Sequence, residues 1–376
     1  MILLVITIGA IVAIIVYFYI HQQRRKITGY TPYLEALIAL LDHNDDVAMK
    51  KFKEAVRIDS DLIDAYIKLG DLYRKKGDIS KAIQIHQSLT VRALLKKKVE
   101  KEVYYALVHD FLEVNRMNKA IAYLKEILKI DKNDTRARNM MLKIYEDMED
   151  YSGCISVYED RAFKPRDENR LAYYYTSLAN NKLRTLAEGD DEGRKEIFNI
   201  FKKALKISPT SLTTHYNIAN YFERHGDLKK AKEHYLKIVD HHPEHIFLII
   251  SQCEKVFFEL GSFDKIISIY EDVLAQHPEN FSVGFALADL YEKKNDIEAT
   301  KDVYHRLAEK NPTTLLPRFS LLKFMIDDEL IKNEIVEMEK TISNRQFKCQ
   351  KCGYEIDTFV FMCPKCHAIE SFLPYL

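Results

Sequence analysis

Residues 66–89 read YIKLGDLYRKKGDISKAIQIHQSL, and this stretch decides the fold. Tyr66, Leu69, Gly70 and Tyr73 recur at spacings of three and four, the period of one helix face. Gly77-Asp78 interrupts that period, and Ala82, His86 and Leu89 resume it. Glycine accepts the positive φ of a tight turn, and aspartate caps the helix that follows. The stretch therefore predicts a helix–turn–helix.

Working outward, the same signature returns. Short residues stand at Ala48, Ala82, Ala120, Cys154, Ala231 and Thr300, where two helices have to approach closely. Four residues after each stands a bulkier one: Phe52, His86, Leu124, Tyr158, Tyr235, Tyr304. Gly226-Asp227 and Gly261-Ser262 repeat the turn, and Pro209, Pro243, Pro278 and Pro312 close units at steps of 34, 35 and 34. One such pair cannot bury its apolar stripe, so neighbours must stack. About eight units run from residue 29 to 314, followed by a helix pair over 315–343. Two units are irregular: Thr90–Glu102 lengthens one, and Thr185–Glu196 inserts a charged loop into another. The pattern of aromatic, Leu-Gly, Tyr, Ala, aromatic and closing Pro resembles the tetratricopeptide repeat. The expected fold is all-α, a right-handed tetratricopeptide-repeat superhelix. Its groove, lined by first helices, would include Asp71, Arg74, Tyr216, Asn220 and Arg224. Asn217 and Asn220 stand without the lysines of a carboxylate clamp, so clamp binding is not expected.

Composition narrows the function. Lys+Arg and Asp+Glu both number 56, and this zero balance argues against nucleic acid, whose binders carry a basic surface. No phosphate loop, Gly-x-Ser-x-Gly elbow or His-Glu-x-x-His motif occurs, so no catalytic residue is expected and the chain is not read as an enzyme. Cys154 and Cys253 fall at helix-packing positions and read as small buried hydrophobes. His241-His242-Pro243-Glu244-His245 reads as a solvated helix end rather than a metal site, and Asp190-Asp191-Glu192 as a wet loop.

The two ends carry different chemistry. Residues 1–20, MILLVITIGAIVAIIVYFYI, hold no charge and are long enough to span a bilayer as a helix. Tyr17 and Tyr19 suit an interfacial belt. Arg24, Arg25 and Lys26 in the linker 21–28 would keep the rest of the chain in the cytoplasm. A cleaved signal peptide is disfavoured because no basic region precedes the apolar run and no small-x-small site follows it. At 344–376, Cys349-Gln350-Lys351-Cys352 and Cys363-Pro364-Lys365-Cys366 pair two CxxC turns, the pattern that presents four thiolates to one ion. Zinc is favoured and iron is the alternative, since rubredoxins hold iron with the same set. His367 is not expected to be a fifth ligand. Ile356, Phe359, Val360, Phe361, Met362, Phe372 and Leu373 exceed what so small a module can hide, so they should dock on the helix pair 315–343 or meet a partner.

Anchor (1–20), repeat array (29–343) and terminal CxxC…CxxC module together resemble the lipopolysaccharide assembly protein B family. Two stretches carry the resemblance: Leu72 to Leu89, with His86-Gln87 where generic repeats prefer an aromatic, and Phe347 to Tyr354 with Cys363 to Cys366. The resemblance implies a bacterial inner-membrane adaptor with its bulk in the cytoplasm, regulating lipopolysaccharide synthesis through protein partners. It further implies that a membrane-bound AAA+ metalloprotease, helped by this adaptor, degrades the deacetylase committing carbon to lipid A. It places a rubredoxin-like metal site at Cys349, Cys352, Cys363 and Cys366. The chain departs from the family pattern in lacking Trp near the second knuckle and in the insert around Gly189. The competing readings are a general scaffold for another envelope process and an electron-transfer protein with rubredoxin-type iron. The choice between monomer and homodimer stays open.

Overall fold

The computed structural model describes residues 12, 14–17, 31–92, 96–160, 167–187, 189–310, 314–326, 329–342 and 346–375. They fall into two compact units, one ending at Pro165 and the other starting at Arg166. Most of the apolar segment 1–20 and all of the basic linker 21–28 lie outside the described residues, so the anchor reading does too. Among the described residues no helix is long and apolar enough to cross a membrane.

The first unit contains α1 (31–41), α2 (Asp45–Ile58), α3 (Ile63–Lys75), α4 (Ile79–Thr90), α5 (Lys97–Glu113), α6 (Met117–Ile130), α7 (Thr135–Asp147) and α8 (Tyr151–Glu159). The second contains α9 (Glu168–Arg184), α10 (Asp191–Ile207), α11 (Leu212–Arg224), α12 (Leu228–His241), a 3-10 turn (Pro243–Leu248), α13 (Ile250–Glu259), α14 (Phe263–Gln276), α15 (Phe281–Lys293), α16 (Ile297–Lys310), α17 (Leu316–Leu322) and α18 (Glu329–Ile342). Consecutive helices pack as pairs, so the described residues supply eight units and the terminal pair α17–α18. That matches the count read from the spacing.

The small–large rule accounts for the core. Ala48, Ala82, Ala120, Cys154, Ala231 and Thr300 are all buried, and so are Phe52, His86, Leu124, Tyr158, Tyr235 and Tyr304. Cys253 is buried as well, and burial pushes its thiol far up, which makes it inert. Asp78 and Asp227 cap their helices by accepting from the Lys81 and Lys230 amides. Ser262, at the corresponding position, does not cap; its Oγ donates to the Phe257 carbonyl at 3.4 Å. The residue ending the first helix of a pair takes positive φ whether or not it is glycine: Gly77 (84°) does so, and so do Asn115 (54°) and Glu149 (53°). The stretch 185–196 is also corrected. Asp190 accepts from the Gly193 amide and starts α10 at Asp191, so helix replaces half of the expected loop.

His86 holds a very close helix–helix contact in the first unit. A Cβ on Gly70 would lie 2.3 Å from its Nε2, so only glycine lets α3 and α4 meet there. Its Nδ1 lies 2.6 Å from Asp110 Oδ2 and its Nε2 3.0 Å from the Ile67 carbonyl. Arg74 donates to the same Asp110 at 2.7 Å and pairs with Asp71. Asp110 is fully buried, and the burial is tolerated because the Arg74 guanidinium and a His86 ring nitrogen both face it.

Candidate metal centre and the surface beneath it

The last 30 described residues form a three-stranded antiparallel sheet in the order β2-β1-β3, from β1 (Gln346–Cys349), β2 (Glu355–Ile356) and β3 (Phe372–Tyr375). Two turns of one design project from it. The Gly353 amide donates to the Cys349 carbonyl at 2.9 Å, and the His367 amide donates to the Cys363 carbonyl at 2.8 Å. Both closing residues are left-handed, Gly353 at φ 72° and His367 at φ 57°, so His367 does the backbone work of the glycine it replaces.

These turns bring the four sequence-predicted cysteines together. All four Sγ atoms lie within 4.8 Å of one another, with Cys349–Cys366 and Cys352–Cys363 at 3.7 Å. No pair is bonded as a disulfide. A tetrahedral ion with metal–sulfur bonds of ~2.3 Å separates its ligands by ~3.8 Å, so the set fits one ion. Burial works to raise the Cys349 thiol, but the Ser371 hydroxyl and the amides of the first turn outweigh it and bring it down to about 6. Burial and the neighbouring thiols push Cys366 up to about 12. Four thiols so close cannot all ionise alone, and a cation removes that penalty. Cys349, Cys352, Cys363 and Cys366 can therefore hold a metal ion.

Two aromatics of the module, Phe359 and Phe361, seat on the 3-10 turn and α11, where the helix pair 315–343 or a partner was expected. Phe359 lies 5.7 Å from Phe247 and 5.8 Å from Phe347, ring centre to ring centre, and Phe361 lies 5.4 Å from Tyr216. Glu370 Oε1 accepts from the Thr213 amide at 2.8 Å and from its hydroxyl at 2.7 Å. That amide belongs to the first turn of α11, whose N–H groups have no partner inside the helix, so the module caps a helix far away in sequence. The terminal pair meets the module across a cavity of about 690 Å³, whose lining includes Phe281, Leu316, Val336 and Leu373.

The expected groove residues divide accordingly. Tyr216 is covered by Phe361, Tyr235 reaches Asn220 Oδ1 at 2.8 Å, and Asp71 and Arg74 belong to the buried network of His86. The His241–His245 stretch is not simply a solvated turn. His245 is 4% exposed, because Phe247 and Phe359 pack against its ring. The sequence could not offer Glu370 or Phe247 as contacts, since neither belongs to a motif. Asp110 was missed for the same reason, and a charged residue in the apolar run of α5 was its one signal.

Tetratricopeptide-repeat profiles match residues 65–98, 101–134, 214–245 and 283–314. Over those residues the chain carries tetratricopeptide repeats, each on a pair of helices. Along 91% of its length the chain is similar to lipopolysaccharide assembly protein B of Haemophilus influenzae, 24% identical and spanning 89% of that protein. It is likewise similar to lipopolysaccharide assembly protein B of Escherichia coli K12, 22% identical over 88% of that protein. The resemblance read from the two sequence stretches thus extends over nearly the whole chain. Among solved structures, MamA protein covers 49% of this chain and 93% of its own at 20% identity, with a TM-score of 0.32.

Proposed function

We propose that this chain is a membrane-anchored adaptor in lipopolysaccharide assembly, working by binding proteins rather than by catalysis. The observation that supports this most is its similarity, over nine-tenths of both chains, to proteins named for that process. In this reading residues 1–20 anchor the chain in the bacterial inner membrane, the linker 21–28 keeps its bulk in the cytoplasm, and repeats over 29–343 receive partners. The module 344–376 folds around one zinc ion held by Cys349, Cys352, Cys363 and Cys366. The partners are lipopolysaccharide synthesis and assembly proteins and a membrane-bound AAA+ metalloprotease, and the outcome is turnover of the deacetylase that commits carbon to lipid A.

The test is depletion of this protein in its own cells, with the half-life of that deacetylase read by pulse–chase. A lengthened half-life is expected, and re-expression of the full chain restores it. An unchanged half-life would overturn the proteolytic role. If crosslinked membranes also yield neither the protease nor a lipopolysaccharide enzyme, the general-scaffold reading takes its place.

A further inference from the structure

We infer that His242, Glu244 and His245 form a second and weaker site for a divalent transition-metal ion, separate from the four cysteines. The backbone creates it. Pro243 opens a 3-10 turn over Pro243–Leu248, and with three residues per turn, positions three apart eclipse. His242 and His245 are three apart, with Glu244 between them. One donor atom from each lies within 4.8 Å of the other two. A Glu244 carboxylate oxygen stands 3.0 Å from His245 Nδ1 and 3.7 Å from His242 Nδ1. Ligands at ~2.0–2.1 Å from an ion are separated by roughly 3–3.5 Å, so small side-chain movements complete the shell. Glu244 is exposed enough to make them.

Two further observations point to an ion. His242 Nε2 lies 2.5 Å from the Thr210 carbonyl, which can only accept, so Nε2 carries the hydrogen and Nδ1, on the Glu244 side, is the nitrogen left for an ion to take in place of a proton. A ring nitrogen held this way by a backbone carbonyl is the usual outer support of a metal-bound imidazole. His245 is buried, its Nε2 has no hydrogen-bond partner, and its Nδ1 meets Glu244. No other polar group among the described residues competes for that ring, and Phe247 and Phe359 fix its plane.

The next unit supplies a natural comparison. His277-Pro278-Glu279-Asn280 repeats the turn, and His277 Nδ1 again lies 3.7 Å from a glutamate oxygen. Asn280 stands where His245 would, and its amide donates to the Pro243 carbonyl at 2.7 Å. His245 is thus what converts a shared turn into a three-donor set. Pro243 and Glu244 also border the 690 Å³ cavity, so water or a donor from that side can fill the remaining position.

The experiment uses the full chain in detergent, its four cysteines first loaded with Zn²⁺, then titrated with Co²⁺ and followed by absorbance and metal analysis. A second equivalent with weak, nitrogen–oxygen-type bands is expected beside the first. His242→Gln, which leaves Phe247 and Phe359 against the His245 ring, and His245→Ala should each weaken that second equivalent by more than about tenfold while keeping the first. His277→Gln and His234→Gln should keep both. A wild-type chain that saturates at one equivalent overturns the assignment, as does a second equivalent that survives both His242→Gln and His245→Ala.

Discussion

The repeats α3–α4 and α11–α12 share one register and handle the same contact differently. Gly70 faces His86 in the first; the corresponding pair in the second is Ala219 and Tyr235, both buried. His86 needs a buried carboxylate from α5, and Asp110 supplies it. The Tyr235 hydroxyl needs only partly buried groups of its own repeat, Asn220 at 2.8 Å and Glu223 at 2.7 Å. The first repeat is therefore locked to its successor by a buried charge, whereas the second reaches its own through the outer Lys255–Glu223 pair. The second leaves its α11 face available, and Phe361 and Glu370 cover it. One repeat pattern fixes how helices pair, while a few polar atoms decide what each pair binds next.

That comparison can be broken at several points. The largest effect is expected from Cys363→Ser or from metal removal. A structural zinc in so small a module is worth about 10 kcal/mol, so residues 346–375 should unfold and the Thr213 amide should lose hydrogen-exchange protection. Exchange across α3–α4 should stay unchanged; a parallel loss there would sink the distinction. Asp110→Ala comes next, stranding His86 and Arg74 at about 3–5 kcal/mol in urea unfolding of the first unit. Tyr235→Phe should cost only about 1 kcal/mol, and equal costs would contradict the contrast.

A pH effect follows from the second repeat. Burial and the nearby His215 depress His234 from the ordinary histidine value to about 4, and its Nδ1 lies 2.9 Å from that of His215. A group depressed in the folded state stabilises fully above its unfolded value near 6.5, and that contribution is lost as pH falls towards 4. Thermal melts should show the second unit weakening across that window, with His234→Gln flattening the slope. Glu370→Ala should cost about 1–2 kcal/mol and speed exchange at Thr213 without releasing the sheet. Glu149→Gly is the smallest change. At φ 53° it should stabilise by about 1 kcal/mol, seen as a raised melting temperature of the first unit.

Pairing was legible in the sequence because it is local. Ala82 and His86, or Ala231 and Tyr235, lie one helical turn apart, and burial follows from that spacing. The four cysteines were legible for the same reason, since each CxxC turn closes on itself through one amide. Where the module would land was not. Thr213 and Glu370 are 157 residues apart, and no periodicity links them. An excess of phenylalanine announced that something had to be covered, without saying against what. The histidines at 241–245 misled because a polar, proline-bearing string looks wet, whereas His245 is buried by Phe359, an aromatic from the distant module.

The cap that Glu370 places on α11 also sets an order of events during synthesis. Tyr216 and Phe247 leave the ribosome more than a hundred residues before Phe361, Phe359 and Glu370, an interval of roughly ten seconds at ordinary elongation rates. For that interval the newly made α11 shows a bare aromatic surface and an open first turn. This stretch of the nascent chain thus stays uncovered after its own repeat is complete, and its maturation ends only when the tail folds back upon it.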